Sequence, residues 1–361
     1  MATRRLAVVM AGGSGERFWP LSTAERPKQL LNLTSPDRTM IEEAVDRVRP
    51  VVGEDAFIST TTALAGPIGR AGVVPDDHIL AEPLRRNTLG ALVWVVASLL
   101  ARGIEDASVA ILTADHAIGE TERFAETVRA SLEAAERTGG LVTIGVVPDR
   151  PETGYGYVER ADEDAVALDS GRTAHAARSF REKPDAATAE GYVSSGRFLW
   201  NAGMFFFTVA GFRAALAEAQ PGAAAILGEV AERLRAGDEA GAEMAFAGLE
   251  SISFDYAVME RAETVHVVES DFPWDDVGAW DALERTLGTD EGGNVVVGPA
   301  ATLDASGCVV YNDAPGVAVG VCGLTDVVVV VTASGVLVCP KGDVQRVREV
   351  GRAAVEKVKG R

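Results

Sequence analysis

The chain has 361 residues, enough for one large α/β domain with an appendage. Hydrophobic residues make up 47% and charged residues 24%, the usual balance of a globular enzyme. The formal net charge of -19 repels nucleic acid and anionic membranes, so neither is an expected partner. Three cysteines (Cys308, Cys322, Cys339) and four scattered histidines argue against a disulfide framework and a zinc site, and favour a cytoplasmic location.

The first half of the chain alternates short apolar runs with amphipathic stretches. The predicted strands are Leu6–Met10, Ala56–Thr60, Val109–Thr113 and Leu141–Val146. The predicted helices are Thr39 to about Val48, opened by a Thr39–Glu42 capping box, then Thr88–Arg102 and Thr121–Arg137. This alternation predicts a doubly wound, mixed and mainly parallel sheet, whose ligands bind at the carboxyl ends of the strands.

The second half is strand-rich from Thr153 to Phe207 and helical from Val209 to about Gly248. After Gly292 come short β-branched runs, which are Val295–Val297, Cys308–Tyr311, Val317–Val321, Val327–Thr332 and Val336–Val338. They predict a small β-rich domain over 291–361, such as a short left-handed β-helix, after a large domain over 1–290. We expect the β-rich tail to offer a surface for a homodimer.

The glycine-rich run Ala11-Gly12-Gly13-Ser14-Gly15-Glu16-Arg17 directly follows the first predicted strand. Glycines let the backbone approach a ligand closely, and successive amides can bind an anion. The run is not a Walker loop, and Phe18 stands where a dinucleotide fold would have its third glycine. A lone glycine cluster can also be a structural turn, but Arg17 and Lys28 add cations that suit phosphate.

Two further blocks carry polar residues at the ends of predicted elements. The run from Glu82 to Thr88 reads as a helix N-terminus, with Asn87 or Thr88 as the cap. Asp115 closes the apolar strand Val109–Thr113, where a carboxylate can hold Mg²⁺ or simply cap a turn.

These blocks together resemble the nucleotidyltransferases that activate sugar phosphates, and in particular their mannose-1-phosphate guanylyltransferase branch. The segments that carry the resemblance are Gly12–Ser22, Pro27-Lys28-Gln29, Glu82–Thr88, Leu112–His116, Gly154–Tyr157, Glu182-Lys183-Pro184, Trp200–Phe205, Ser253–Glu260 and Trp274–Trp280. The resemblance runs from Leu6 to about Leu283, and more loosely through the tail. It implies an enzyme that makes GDP-mannose and pyrophosphate from GTP and mannose 1-phosphate, with Mg²⁺.

The resemblance also implies roles on the nucleotide side. The residues expected to wrap the triphosphate are Gly12, Gly13, Ser14 and Gly15. Arg17 would stabilise the departing pyrophosphate, and Lys28 would lie near the α-phosphate. Glu82, Arg86 and Asn87 are the expected contacts to base and ribose, and a carboxylate suits guanine because its N1 and exocyclic amine are both donors.

On the metal side, the resemblance implies Asp115 and Asp276 as ligands, with Asp275 a weaker choice. The residues expected to bind the sugar phosphate are Gly154, Glu182, Lys183, Asn201 and Gly203. The sequence departs from the family pattern at Thr113, which replaces Pro, at Ala202, which replaces Ser, and at Leu89-Gly90, which replace Ala-Pro. The hydrogen bond of that serine is therefore expected to be absent.

Alternatives remain at this level. The enzyme could use another hexose 1-phosphate or another base, and a homologue of a different class could bind nucleotide sugars without catalysis. Such a regulator should lack counterparts of Arg17, Lys28, Asp115 or Asp276, and all four are present. Some family members carry a fused cupin-like isomerase domain, and from the chain length we expect no isomerase activity.

Overall fold

The computed structural model of the protein describes residues 3–359. Its strands are β1 Arg4–Met10, β2 Ala56–Thr61, β3 Ile79–Glu82, β4 Ala107–Thr113, β5 Ala117–Ile118, β6 Leu141–Val146, β7 Gly156–Ala167, β8 Thr173–Glu182, β9 Phe198–Thr208, β10 Val265–Glu269, β11 Trp274–Asp275, β12 Val295–Val297, β13 Ala300–Leu303, β14 Val309–Asn312, β15 Val319–Cys322, β16 Val327–Thr332 and β17 Gly335–Pro340. Its α-helices are α1 Met40–Val52, α2 Thr62–Ala71, α3 Asn87–Ala101, α4 Thr121–Thr138, α5 Ala186–Ser195, α6 Val209–Ala219, α7 Pro221–Arg235, α8 Glu239–Ala247, α9 Leu283–Thr286 and α10 Val347–Lys359. Short 3₁₀ turns lie at Glu16–Phe18, Lys28–Leu30, Asp76–His78, Trp280–Ala282 and Lys341–Arg346, and a π-helical turn lies at Asp255–Met259.

The predicted elements of the first half all form. The capping box is present, since the backbone N–H of Thr39 donates to Glu42 Oε2 at 2.7 Å and that of Glu42 to Thr39 Oγ1 at 3.4 Å. Helix α1 continues beyond the predicted end near Val48, as far as Val52. It ends where Gly53 adopts a φ of 60°, the left-handed conformation that stops many helices.

The chain forms two compact units, and the first contains the large sheet. This unit comprises the chain up to Gly12, Ala44–Thr113 and Gly119–Pro273. Its nine strands follow the order β3-β2-β1-β4-β9-β6-β10-β8-β7. Strands β3, β2, β1 and β4 are parallel, whereas β9 runs antiparallel to both β4 and β6. The doubly wound, mixed sheet predicted from the sequence is confirmed.

Helix α3 is apolar on nearly all sides because it lies within the core of the first unit. Its residues from Leu92 to Val96 are at most 9% exposed. Trp94 packs edge-on against Phe246 of α8, with ring centroids 5.2 Å apart. No helix within residues 3–359 is long and apolar enough to cross a membrane.

The second unit comprises Gly13–Glu43, Ala114–Ile118 and the chain from Trp274 onward. Strands β12, β14 and β16 are parallel and β17 closes their sheet antiparallel, while β13 and β15 form a separate parallel pair. These strands lie within two residues of the predicted runs, with β13 added, so the β-rich tail is confirmed. The domain boundary after residue 290 and the homodimer through this tail stay predictions.

Candidate active site

The glycine-rich loop that follows β1 has one open face and one tightly packed face. A Cβ built at Gly12 or Gly13 would meet nothing within 4 Å, so a ligand can approach the backbone there. Gly15, by contrast, has a φ of 63°, and a Cβ on it would lie 2.4 Å from the Cβ of Lys28. Ser22 fixes the loop further, because its hydroxyl donates to the carbonyl of Ser14 at 2.9 Å. Only glycine therefore fits at position 15.

Lys28 joins two segments that are distant in sequence. Its side chain is buried, and its Nζ donates to Asp115 Oδ2 at 2.9 Å and to the backbone carbonyl of Asp276 at 3.0 Å. Asp276 follows Lys28 by 248 residues. The structure thus brings Lys28, Asp115 and Asp276 together, whereas Arg17 is exposed on the same loop region. We name Lys28, Asp115 and Asp276 the phosphate cluster.

The charges around Asp115 favour its ionised form. Burial alone would raise the pKa of this carboxyl, but the charges of Lys28 and His116 and the Lys28 hydrogen bond hold it below its usual value. Burial lowers the pKa of His116, although the negative charges of Asp115 and Asp276 act to raise it. Its Nδ1 accepts a hydrogen bond from the indole N–H of Trp274 at 3.1 Å, which suits a neutral ring.

Asp275 and Asp276 have different surroundings. Asp275 is 8% exposed, and its carboxylate accepts hydrogen bonds from the backbone N–H of Val277 at 2.8 Å and from Arg285 Nε at 2.5 Å. Asp276 is less buried than its neighbour. Asp275 therefore stabilises the turn in which it lies.

The phosphate cluster suits Mg²⁺ as a site with two protein carboxylates. Within the part of the chain that the structure describes, no three His, Cys, Asp or Glu side chains are grouped to hold a metal. Mg²⁺ in phosphate-transfer sites commonly takes one or two carboxylates and completes its shell with water and substrate phosphates. Lys28 contacts the carboxylate of Asp115 and the backbone carbonyl of Asp276, and the charges of both aspartates act on His116, so the cluster contains the one or two carboxylates that such a site needs.

Glu82 is a buried acid at the carboxyl edge of the large sheet, where it is the last residue of β3. It is 6% exposed, and its Oε2 has no hydrogen-bond partner among the described residues. Burial raises the pKa of Glu82 to about 7, while the charge of Arg85 acts in the opposite direction. A buried polar atom without a protein partner is rare, and such an atom is available to a ligand or a water.

Thr61 lies beside Glu82 and was not predicted as a site residue. The two residues are Cα partners in the parallel register of β2 and β3. Thr61 is 4% exposed, and its Oγ1 also has no hydrogen-bond partner within residues 3–359. The only sequence signal for Thr61 is its place at the end of a strand. We name Thr61 and Glu82 the edge pair.

The start of α3 differs from the predicted cap. The helix begins at Asn87, its N-cap residue is Arg86, and no side chain of that residue caps it. Asn87 has a φ of 60°, and its Oδ1 accepts from the adjacent Thr88 N–H at 2.8 Å. The hydroxyl of Thr88 instead accepts from the backbone N–H of Phe254 at 2.8 Å. The prediction of a cap by Asn87 or Thr88 is wrong, because the N-cap position falls at Arg86 and the Thr88 hydroxyl bonds to Phe254.

Arg86 packs closely against Gly90, one of the positions that depart from the family pattern. Its Nη2 donates to the carbonyl of Ala247 at 2.7 Å, so the side chain lies along α3. A Cβ built at Gly90 would lie 2.3 Å from the Cβ of Arg86. Glycine at position 90 therefore provides the space that Arg86 occupies.

Most of the sugar-side residues of the prediction meet in the first unit. Asn201 is fixed on both sides of its amide, because Oδ1 accepts from Thr143 Oγ1 at 2.8 Å and Nδ2 donates to Asp255 Oδ1 at 2.9 Å. Its Oδ1 also accepts from the backbone N–H of Gly203 at 3.2 Å, where Gly203 has a φ of 66°. Burial and the charge of Glu182 raise the pKa of Asp255 to about 6.

Glu182 and Lys183 form an ion pair at the end of β8. Burial alone would lower the pKa of Lys183, but the hydrogen bond and charge of Glu182 raise it. A Cβ at Gly156 would lie 2.5 Å from Glu182 Oε2, so the neighbouring strand passes close to this acid. Gly154 is exposed near the start of that strand.

The comparisons with known proteins identify the family of the chain. The nucleotidyl transferase family model matches residues 6–291, and a MannoseP isomerase/GMP-like beta-helix domain model matches residues 298–353. The mannose-1-phosphate guanylyltransferase ManC of Salmonella typhimurium is 36% identical over 99% of this chain and 74% of its own length. The mannose-1-phosphate guanylyltransferase of Escherichia coli K12 is 36% identical over 98% of this chain and 73% of its own length.

A solved structure extends the likeness to three dimensions. The structure named mannose-1-phosphate geranyltransferase, from Thermus thermophilus, has a TM-score of 0.85 and 38% identity, and covers 99% of both chains. The chain belongs to the nucleotidyl transferase family. Its resemblance to the mannose-1-phosphate guanylyltransferase branch is confirmed as well, and the protein is an enzyme of the nucleotidyltransferase class.

Proposed function

We propose that the protein transfers GMP from GTP to α-D-mannose 1-phosphate and so forms GDP-mannose and pyrophosphate. The observation that carries the transfer chemistry is the phosphate cluster, in which buried Lys28 holds Asp115 and the backbone of Asp276 next to Gly15. The names of the two curated relatives support guanine as the base and mannose 1-phosphate as the acceptor.

The reaction needs positioning and charge neutralisation more than a protein nucleophile. The sugar phosphate is already an anion, and it would attack the α-phosphorus in line while pyrophosphate leaves. The glycine-rich loop would bind the triphosphate through backbone amides, with Lys28 near the α-phosphate and Arg17 on the departing pyrophosphate. One phosphoanhydride replaces another, so the reaction should be readily reversible.

Asp115 and Asp276 would hold a Mg²⁺ ion. The ion, when bound, supplies positive charge that neutralises the phosphate oxygens. Lys28 adds a fixed cation at the same place and keeps the carboxylate of Asp115 oriented.

The edge pair would read the nucleobase. Guanine presents two adjacent donors, N1–H and the exocyclic amine, and an ionised carboxylate such as that of Glu82 accepts both. The hydroxyl of Thr61 lies at the same edge and can add one further hydrogen bond. Arg86 and Asn87 would contact the ribose or the base from the start of α3.

The sugar phosphate would bind in the first unit. Glu182 can accept hydrogen bonds from sugar hydroxyls, and Lys183 can bind the sugar's phosphate. Gly154 and Gly203 let the backbone approach the sugar ring. Asn201 makes its hydrogen bonds within the protein, so it would mainly hold the neighbouring carboxylate in place.

Pyrophosphate release tests the proposal when GTP, ATP, UTP and dTTP are crossed with mannose 1-phosphate and glucose 1-phosphate. We expect strong preference for GTP with mannose 1-phosphate. Turnover of another pair would overturn the base or sugar assignment and keep the transfer chemistry. No turnover of any pair, in folded protein that binds nucleotide, would overturn the catalytic assignment.

A further inference from the structure

We propose that the C-terminal β segment positions the triphosphate-binding loop, with Trp19 as the residue that couples them. The loop is here the phosphate loop, Gly13–Ser22, and the C-terminal segment is Val295–Lys359 (strands β12 to β17 with α10). Both lie in the second compact unit. The inference rests on the proposed function for the identity of the ligand, but its geometry stands on contacts within this unit.

The first observation is that two glycines of the C-terminal segment make room for the indole of Trp19. A Cβ built at Gly351, inside α10, would lie 2.8 Å from Cγ of Trp19. A Cβ built at Gly335, the first residue of β17, would lie 3.1 Å from Cβ of Pro20 and 3.3 Å from Cζ2 of the Trp19 ring. Glycine inside a helix lowers helix stability relative to alanine, so the absence of a side chain at 351 serves the packing of Trp19.

The second observation is that polar contacts hold the same stretch of the loop. The indole N–H of Trp280 donates to the backbone carbonyl of Trp19 at 3.2 Å. Arg352, next to Gly351, forms an ion pair with Glu16 at 2.6 Å. That ion pair is largely exposed and contributes little by itself, so the packing of Trp19 carries the coupling.

The third observation is a shared hydrophobic core. Phe18 and Leu21 of the phosphate loop are at most 3% exposed and belong to one buried cluster with Val328, Leu337 and Val347 of the C-terminal segment. One half of the loop is thus anchored in this core, while the other half offers the open backbone of Gly13. A shift of Trp19 would move Arg17 and the Gly15 backbone that packs on Lys28.

Gly351→Ala is the direct test, and Gly342→Ala is its matched control. A Cβ at Gly342, in the same segment, would meet nothing within 4 Å. We expect Gly351→Ala to lower kcat/KM for GTP by about 10- to 100-fold, since small misplacements of a site cost that much. The KM for mannose 1-phosphate should change less than two-fold or so, and Gly342→Ala should match the wild type.

Hydrogen exchange of the amides of residues 13–17 gives a second readout that needs no substrate. Exchange should be faster in Gly351→Ala than in the wild type and in Gly342→Ala. Trp19→Ala, which removes the indole instead of displacing it, should likewise speed exchange and lower kcat/KM for GTP. If Gly351→Ala does not fold, Gly335→Ala takes its place with a milder overlap.

Equal exchange and equal kinetics in Gly351→Ala and Gly342→Ala would overturn the inference, as would wild-type exchange and kinetics in Trp19→Ala. If the wild type turns over no nucleotide, the proposed function fails, and the exchange data alone then test whether the C-terminal segment positions the phosphate loop. Faster exchange confined to Gly351→Ala then supports the coupling, and unchanged exchange overturns it.

Discussion

The phosphate cluster and the edge pair differ in how far their polar atoms are hydrogen-bonded within the protein. In the phosphate cluster, Lys28 is bonded to Asp115 and to the backbone of Asp276. In the edge pair, Glu82 Oε2 and Thr61 Oγ1 are buried without a hydrogen-bond partner among the described residues. The first set is cross-linked by protein groups, whereas the second offers two buried polar atoms to a ligand.

This difference matches the tasks we propose for the two regions. Charge developing during transfer is stabilised best by groups that need no reorganisation, which favours a cross-linked cluster. Selectivity is strongest where a wrong ligand leaves buried polar groups unpaired, which favours an unsatisfied pair. Variants of each region should therefore fail differently, in turnover for the phosphate cluster and in base preference for the edge pair.

The largest effect is expected for Asp276→Asn. The variant should fold with an unchanged melting temperature and lose turnover by ~10²-fold or more, as for loss of a key electrostatic group. The matched variant Asp275→Asn should instead lower the melting temperature, because it weakens bonds to Val277 and Arg285. Near-wild-type turnover of Asp276→Asn would remove this residue from the metal site.

The second-largest effect is expected for Glu82→Gln, as a change in the preference for the nucleotide base. An amide offers one acceptor and one donor, so it cannot accept both guanine donors, and kcat/KM for GTP over ATP should fall by about 10- to 100-fold. Glu122→Gln, an exposed acid on α4, is the control and should keep the wild-type ratio. An unchanged ratio in Glu82→Gln would mean that this acid does not read the base.

A pH dependence of GTP binding should follow from the same carboxyl. The pKa of Glu82 is raised to about 7, so the group is largely protonated below that pH and ionised above it. Since guanine needs the ionised form, the Kd for GTP should fall as the pH rises from 6 to 8, by up to about ten-fold. Titration by calorimetry should find this slope in the wild type and its loss in Glu82→Gln, and equal slopes would contradict the assignment.

The free energy of unfolding should also depend on pH through Glu82. It should fall as the pH rises, whereas GTP affinity should rise. The pKa of Glu82 is higher in the folded protein, about 7, than its ordinary value of 4.5. Such a group favours folding fully below pH 4.5, and this contribution is lost as the pH rises through 7. Glu82→Gln should therefore melt at a higher temperature than the wild type at pH 8, with a smaller difference at pH 5. A lower melting temperature of the variant at pH 8 would show that the carboxylate has a partner in the folded protein.

The smallest effect is expected for Thr61→Val. Loss of one hydroxyl should raise the KM for GTP by about three- to ten-fold, the usual range for one hydrogen bond. The melting temperature should hold or rise, because this buried hydroxyl has no partner within the described residues and its burial costs free energy. Thr60→Val is the contrast, since the Thr60 hydroxyl donates to the carbonyl of Ala11 at 2.9 Å and its loss should cost stability. A drop in melting temperature for Thr61→Val with no change in KM would place Thr61 outside the site.

Sequence patterns predict the local elements well because these depend on neighbouring residues. The Thr39–Glu42 capping box and the strand Leu141–Val146 follow directly from local chemistry. The cap at α3 was wrong because Thr88 bonds to Phe254, a partner that no local pattern reveals. The approach of Asp276 to Asp115, both bonded to Lys28, is likewise a product of the tertiary fold, and the resemblance alone pointed to it.

Thr61 shows what neither pattern nor resemblance supplied. Its significance depends on burial and on the β2–β3 register that puts it opposite Glu82. Burial of a particular polar atom is a property of the packed molecule, so it cannot be read from a run of threonines.

The most direct test of the account follows the α-phosphate itself. GTP labelled with radioactive phosphorus at the α position is incubated with mannose 1-phosphate, Mg²⁺ and the wild-type protein, and the products are separated by chromatography. The account predicts that the label appears in GDP-mannose in step with pyrophosphate release, and returns to GTP when excess pyrophosphate is added. Label that appears in GMP, or stays in GTP while the protein binds the nucleotide, would contradict transfer to the sugar phosphate.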